Sequence, residues 1–162
     1  VIKKAKELGY TEPDPRLDLF GSDVKRKILI LIRESGYQFE YDDISLESFL
    51  PKSCLKTSSL EEFYAQVENE EEHFLNLYKS AQSNNARLKV VATFKNGKGS
   101  VKLKAIDSNH PFYNLDGKDN IVLFYTNRYK EQPMVIKGAG AGADVTASGI
   151  FADVLRIAQS DL

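Results

Sequence analysis

The sequence predicts an α+β fold, a mixed and largely antiparallel sheet with helices packed on one face. Three observations carry that expectation. Asn96-Gly97 separates two alternating apolar runs, and Asn-Gly accepts the positive φ that a tight hairpin demands. Further strand-like runs gather in the second half of the chain, while helix-period patterns dominate the first half and recur at the end. Hairpin chemistry with helices between and around the strands points to antiparallel pairing rather than to alternating βαβ units. At 162 residues the chain is large enough to bury a core.

The elements follow in order. Val1 to Leu8 reads as a helix capped by Gly9. Tyr10 to Gly21 contains Pro13 and Pro15, so it reads as an ordered loop carrying carboxylates and one arginine, not as regular helix or central strand. Ser22 is placed to cap a helix with Asp23 in its first turn, Val24, Ile28, Leu31 and Ile32 on one face, and Gly36 as its stop. Ile44 to Leu50 is a strand ended by Pro51. Ser58 or Ser59, each followed three residues later by a glutamate, starts a helix through Val67. Glu70 to Gln82 forms another helix, with Phe74, Leu77 and Tyr78 facing inward. Leu88 to Phe94 and Val101 to Ile106 are the hairpin strands, and Asn120 to Asn127 and Pro133 to Lys137 are two more. Ala143 or Asp144 opens the last helix, which runs to about Ala158.

Charge and composition remove several function classes. Lys plus Arg number 22 against 23 Asp plus Glu, so no net field favours nucleic acid or an anionic membrane as partner. No apolar stretch approaches the roughly 20 residues of a membrane span. The single Cys54 cannot form an internal disulfide, which fits a reducing, cytoplasmic setting, and no base is spaced to make it a nucleophile. His73 and His110 lack metal-ligand spacing, so no metal site is expected.

Two constellations carry chemistry. Gly138, Gly140, Gly142 and Gly149 follow a strand and precede a helix, as phosphate-binding turns do. Their spacing misses the dinucleotide fingerprint, and no second strand follows. By itself the stretch reads as a tight strand-to-helix turn, or as one whose backbone N–H groups can approach a ligand. The second constellation is Glu12, Asp14, Asp18, Asp23 and Lys27. Asp23 and Lys27 are four apart and share a helix face, as a surface ion pair would. The carboxylates beside them could take the ammonium of an amino-acid ligand, with the lysine acting on a carbonyl or hydroxyl oxygen.

Gly9-Tyr-Thr-Glu-Pro-Asp-Pro-Arg16, Asp18-Leu and Gly21-Ser-Asp-Val-Lys-Arg-Lys27 closely resemble the signature of the homoserine dehydrogenases. So do Gly138-Ala-Gly-Ala-Gly142, Asp144-Val-Thr-Ala and Gly149-Ile-Phe-Ala-Asp-Val-Leu-Arg156, and the stretch between is similar, including His110-Pro-Phe and Phe124-Tyr-Thr-Asn-Arg-Tyr129. The ending Phe151 to Arg156 looks most like the bifunctional aspartokinase/homoserine dehydrogenases. The resemblance implies NAD- or NADP-dependent interconversion of L-aspartate 4-semialdehyde and L-homoserine, in threonine and methionine biosynthesis. It implies a substrate-binding and dimerisation domain at residues 1–137. Residues 138–162 would be a glycine turn and a helix returning to an N-terminal nucleotide-binding domain that precedes this stretch. A homodimer is implied, and in the bifunctional form an aspartokinase region upstream. On this resemblance the chain, which opens within a helix, is expected to be a part of a longer protein and inactive alone.

Roles carry over by position. Lys27 resembles the catalytic lysine that handles the proton at the substrate oxygen, and Asp23 the acid that contacts substrate and orients that lysine. Glu12 resembles the carboxylate that holds the substrate ammonium, with Asp18 and the Tyr10 backbone nearby. Gly138, Gly140 and Gly142 resemble the turn lining the nicotinamide end of the cofactor site. Three positions depart from the pattern. Leu17 replaces an acidic residue, Ala139 a proline or aromatic, and Lys25 a small residue, and Lys25 is expected to face solvent. The competing reading is a non-catalytic small-molecule-binding or dimerisation module of the same fold class.

Overall fold

The computed structural model describes residues 2–7, 14–117, 119–140 and 142–160, with only the backbone described at Leu17. The chain divides into two compact units, 1–108 and 109–162. The first contains helices α1 (Ile2–Glu7), α2 (Arg16–Leu19), α3 (Ser22–Glu34), α4 (Lys52–Leu55), α5 (Leu60–Asn69) and α6 (Glu71–Ser83), with strands β1 (Ile44–Glu47), β2 (Arg87–Lys95) and β3 (Lys98–Ile106). The second contains β4 (Asp119–Phe124), β5 (Met134–Ala139) and α7 (Ala143–Ser160). The α+β class is as expected, but the strands form two sheets rather than one.

In the first unit β3 lies centrally, antiparallel to β2 and parallel to β1. Asn96 (φ 52°) and Gly97 (φ 71°) close the β2–β3 hairpin with both central residues in the left-handed region, and Lys95 pairs with Lys98 across it. Gly99 allows β3 to approach β1 closely, because a Cβ there would stand 2.9 Å from Ile44 Cγ1. Helix α3 lays Leu29 and Ile32 on this sheet, in a buried cluster with Ile44 and Val101. Val24, Ile28, Phe39, Tyr41, Ala92 and Phe94 close around it, and Phe94 meets Tyr37 and Phe39 edge-on.

The ends of α3 differ in how legible they are. Gly36 (φ 89°) stops the helix as expected, and its N–H bonds the Arg33 carbonyl at 2.9 Å. At the start, Ser22 is already helical and the N-cap is Gly21 (φ 76°), which makes no side-chain cap bond. The Gly21 carbonyl accepts the Lys25 N–H at 3.0 Å.

A second cluster forms around Leu50, Cys54 and Phe63, with Leu19, Phe20, Phe49, Leu60, Tyr64, Val67 and Phe74 against it. Ser59 caps α5 by accepting the Glu62 N–H at 3.1 Å, and the Glu62 carboxylate accepts the Ser58 N–H and hydroxyl, each at 2.8 Å. Fixing the start of α5 in this way sets Phe63 facing inward, wholly buried.

Several local expectations fail for identifiable reasons. The stretch expected to be loop contains α2, because Pro15 (φ −66°) stands at its N-cap, where a missing N–H costs nothing and the fixed φ suits a helix. Pro51 precedes α4 in the same manner. Strand β1 stops at Glu47, and Ser48 Oγ accepts the Leu50 N–H at 3.1 Å to turn the chain. Tyr78 points outward, 59 % exposed, because the buried seam of α6 runs through Phe74, Leu77 and Ala81. Lys25, expected in solvent, is buried.

In the second unit β4 and β5 pair antiparallel, from Asp119 opposite Ala139 to Phe124 opposite Met134. Asp119 and Lys137 are 3.5 Å apart across the ribbon. Helix α7 buries none of its residues, and Ile150, Phe151, Val154 and Ile157 are all more than half exposed. Among the described residues no helix is long and apolar enough to cross a membrane.

Candidate functional site

The acidic stretch before α3 resolves into carboxylates with different jobs. Asp14 is held by Arg16. Nε donates to both carboxylate oxygens at 2.9 and 3.0 Å, Nη2 donates at 2.6 Å, and the Arg16 backbone N–H adds a bond at 3.0 Å. Arg16 Nη1 reaches on to the Thr57 carbonyl at 3.3 Å, tying the start of α2 to the chain beyond α4. The Arg16 hydrogen bonds hold the Asp14 carboxyl below the ordinary range. Asp14 is therefore a framework residue, and sequence reasoning that grouped it with ligand-binding carboxylates did not separate it from them. The signal was present: Asp-x-Arg across a proline favours such a local fork.

Asp18 lies in α2 and is exposed, and its carbonyl accepts the Gly21 N–H at 3.2 Å. That bond and the left-handed Gly21 turn α2 sharply into α3. Asp23 and Lys27 then emerge on one face of α3, with Nζ 2.9 Å from Oδ2 and side chains 55 % and 53 % exposed. Asp23 sits in the first turn, where the helix dipole favours an anion, and it precedes its lysine by four, the better orientation for such a pair. The structure thus brings together the predicted catalytic lysine and its acid. Tyr10 and Glu12 lie outside the described residues.

Lys25 was not foreseen. Its side chain turns to the opposite face, 7 % exposed, with Nζ 4.0 Å from the centroid of the Tyr41 ring. Tyr41 opens the short 3₁₀ turn Tyr41–Asp43 that leads into β1. A lysine two positions from each member of a surface pair was the available signal, since such a residue faces the other side of the helix.

The predicted cofactor glycines belong to the second unit. Gly138 lies within β5, opposite Asn120, so the strand runs two residues further than expected. A Cβ at Gly140 would overlap the Asn120 side chain, which is exposed and would have to turn aside to admit it. Gly142 (φ 139°) stands just before α7, and its carbonyl accepts the Thr146 N–H at 3.0 Å. Nothing stands within 4 Å of the Cβ positions of Gly138 and Gly142, so their backbone is open to close approach by a flat ligand.

Among the described residues the histidines stand apart from the Asp23–Lys27 pair in their hydrogen bonds. His73 Nε2 donates to the Phe49 carbonyl at 3.0 Å beside a cavity of about 270 Å³ lined also by Glu47, Leu50, Leu77 and Leu103. Among the described residues no cluster of three or more His, Cys, Asp or Glu is arranged to hold a metal.

The fold and the Asp–Lys pair define an α+β chain with a lysine–carboxylate pair exposed on one face of a helix in its first unit. A sequence profile of the homoserine dehydrogenase family matches residues 1–155. The chain belongs to that family. It is 44 % identical over 161 residues to the chloroplastic bifunctional aspartokinase/homoserine dehydrogenase 2 of Zea mays, covering 98 % of this chain and 18 % of the relative. It is 41 % identical over 160 residues to the homoserine dehydrogenase of Schizosaccharomyces pombe, covering 97 % and 43 %. A crystal structure of a Candida auris protein of unknown function superposes with a TM-score of 0.88 at 39 % identity, over 98 % of this chain and 45 % of that one. The chain spans less than half the length of each of these proteins.

Proposed function

We propose that the chain is the substrate-binding part of an NAD(P)-dependent homoserine dehydrogenase, interconverting L-homoserine and L-aspartate 4-semialdehyde. The observation that carries the reading is the Asp23–Lys27 pair, 2.9 Å apart at the start of α3, in a chain whose family is that of the homoserine dehydrogenases. When bound, the nicotinamide supplies the hydride chemistry at the substrate carbon. In the oxidative direction the hydroxyl proton passes to Lys27 Nζ as the carbonyl forms. In the reductive direction the ammonium returns that proton to the oxygen as it gains negative charge. Asp23, 2.9 Å from Lys27 Nζ, orients the lysine. Glu12, with Asp18 and the Tyr10 backbone, holds the substrate ammonium. The open backbone at Gly138 and Gly142 suits the edge of a flat ring, so this turn would line the nicotinamide while the remainder of the cofactor is held elsewhere.

The same reading assigns the uncovered apolar residues of α7 to contact with a nucleotide-binding domain of the longer protein. An aspartokinase region lies upstream if the protein is organised like its maize relative. Residues 1–137 would form the substrate and dimerisation domain and 138–162 the return, in a homodimer of the cytoplasm. Sedimentation of the intact protein as monomer only would remove the dimer.

The deciding experiment follows NAD(P)H formation from homoserine in the full-length protein. Lys27→Ala should lower kcat/KM by about 10²- to 10⁴-fold, the range of a lost general acid–base group. A loss of only a few-fold removes Lys27 from the mechanism. Glu12→Ala should raise KM with kcat less affected, and an unchanged KM removes its ammonium role.

A further inference from the structure

We propose that Lys25 is a positioning residue for the Asp23–Lys27 pair: its ammonium, seated over the Tyr41 ring, holds the first turn of α3 against the turn that enters β1. The inference rests on the role given above to Lys27.

Lys25 stands where a cation is costly on two counts. It is the one charged side chain buried among the described residues, and desolvating an ammonium is unfavourable without compensation. It is also in the opening turn of a helix, where the dipole opposes positive charge. Packing alone would be served by methionine, which has a similar unbranched stem and no charge. The feature that compensates a cation here is the electron-rich face of Tyr41, 4.0 Å away.

The placement explains what the contact holds. Asp23 and Lys27 each lie two positions from Lys25, about 200° around the helix, so the pair stands on the outer face while Lys25 points into the unit. The N-cap of α3 has no side-chain bond, and the Gly21–Lys25 backbone bond, Val24 packed on the core cluster and this inward lysine are among the contacts that hold the first turn. Tyr41 packs against the cluster of Leu29, Ile32, Ile44 and Val101, so the ring is itself fixed. One lysine therefore connects the turn that carries the exposed pair to a ring packed on the buried cluster. Sub-ångström placement of a proton-transferring group is where such a connection matters, since a 1 Å error can cost on the order of 100-fold in rate.

The test uses the full-length protein, with steady-state homoserine oxidation and thermal melting measured on each variant. Lys25→Met should lower kcat by about tenfold with KM within twofold, at a Tm that leaves the protein fully folded at assay temperature. Lys25→Arg keeps the cation over the ring and should restore kcat to within threefold. Tyr41→Leu should reproduce the Lys25→Met loss, and Tyr41→Phe should not. The double variant Lys25→Met/Tyr41→Leu should be no worse than the poorer single, because both remove one contact. If Lys25→Met misfolds, Tyr41→Leu examines the same contact from the other side. Unchanged kcat in correctly folded Lys25→Met and Tyr41→Leu overturns the inference, as does a double variant whose losses multiply. If Lys27→Ala is inactive while Lys25→Met is fully active, the inference alone fails. If the wild-type protein does not oxidise homoserine, the underlying reading fails and takes the inference with it.

Discussion

Replacing Gly21 by alanine should destabilise the first unit through two separable effects. Gly21 has φ 76°, and a side chain in that region costs about 1–2 kcal/mol. Alanine also narrows the unfolded ensemble, which returns about 0.4–1 kcal/mol. The new Cβ would stand 3.2 Å from Leu46 Cδ1 and 3.7 Å from Val101 Cγ1. Val101 is buried and cannot retreat, whereas Leu46 is 37 % exposed and can shift, so the crowding falls at the lower end of overpacking costs, about 1 kcal/mol. The sum is about 1–3 kcal/mol. Gly36 isolates the backbone part, because its φ is 89° and nothing stands within 4 Å of its Cβ position. Gly36→Ala should therefore cost about 1 kcal/mol less than Gly21→Ala. For a unit spanning 1–108, an unfolding entropy of about 2.1 cal/mol/K per residue makes 1 kcal/mol worth about 4 °C. Thermal melts and urea titrations followed by circular dichroism would measure both variants. Equal costs would show that Leu46 yields freely and that crowding contributes nothing. A neutral Gly21→Ala would refute the left-handed cap altogether.

Two further outcomes are expected. The Arg16 hydrogen bonds lower the folded pKa of Asp14 below its unfolded value, so the pair stabilises above the unfolded pKa, and the contribution is lost as pH falls through the folded one. Asp14→Asn should flatten part of the acid limb of stability below about pH 4, read from urea midpoints across pH, and an unaltered limb would contradict the assignment. Burial pushes the Cys54 thiol up and leaves it inaccessible. It should resist a thiol-specific chromogenic reagent in the native state and react fully in denaturant, and rapid native labelling would show that the Leu50–Phe63 cluster opens.

Legibility followed the range of the interactions involved. The Asn96-Gly97 hairpin, the Ser59 cap and the Gly36 stop are local, and each was readable because one or two residue types suffice to determine the backbone. The same locality misled at Pro15 and Pro51, where proline starts a helix as readily as it breaks one. The split into two sheets was not readable, since no local pattern states which strand pairs with which. Nor was the parallel pairing of β1 with β3, which depends on the close approach at Gly99. Lys25 was misread because solvent is the default for lysine, and only the position of Tyr41, sixteen residues away, reverses it.

The acidic cluster shows why the candidate site was only partly separable from its frame. Spacing grouped Asp14, Asp18 and Asp23 together, but their energetic roles diverge. Asp14 is bound by a multidentate guanidinium that anchors two chain segments, so its removal should be felt in stability. Asp23 is paired across a single helix turn with both partners half exposed, a contact worth about 0.3–0.5 kcal/mol. Losing it would scarcely alter folding. A loss of 10²- to 10⁴-fold in kcat/KM corresponds to about 3–5 kcal/mol of transition-state stabilisation. That is several times the stability the pair can contribute. Lys27→Ala is therefore the substitution whose effects on activity and on folding should differ most widely. An equal loss in both would mean that the pair serves the fold, and that the chemistry lies elsewhere.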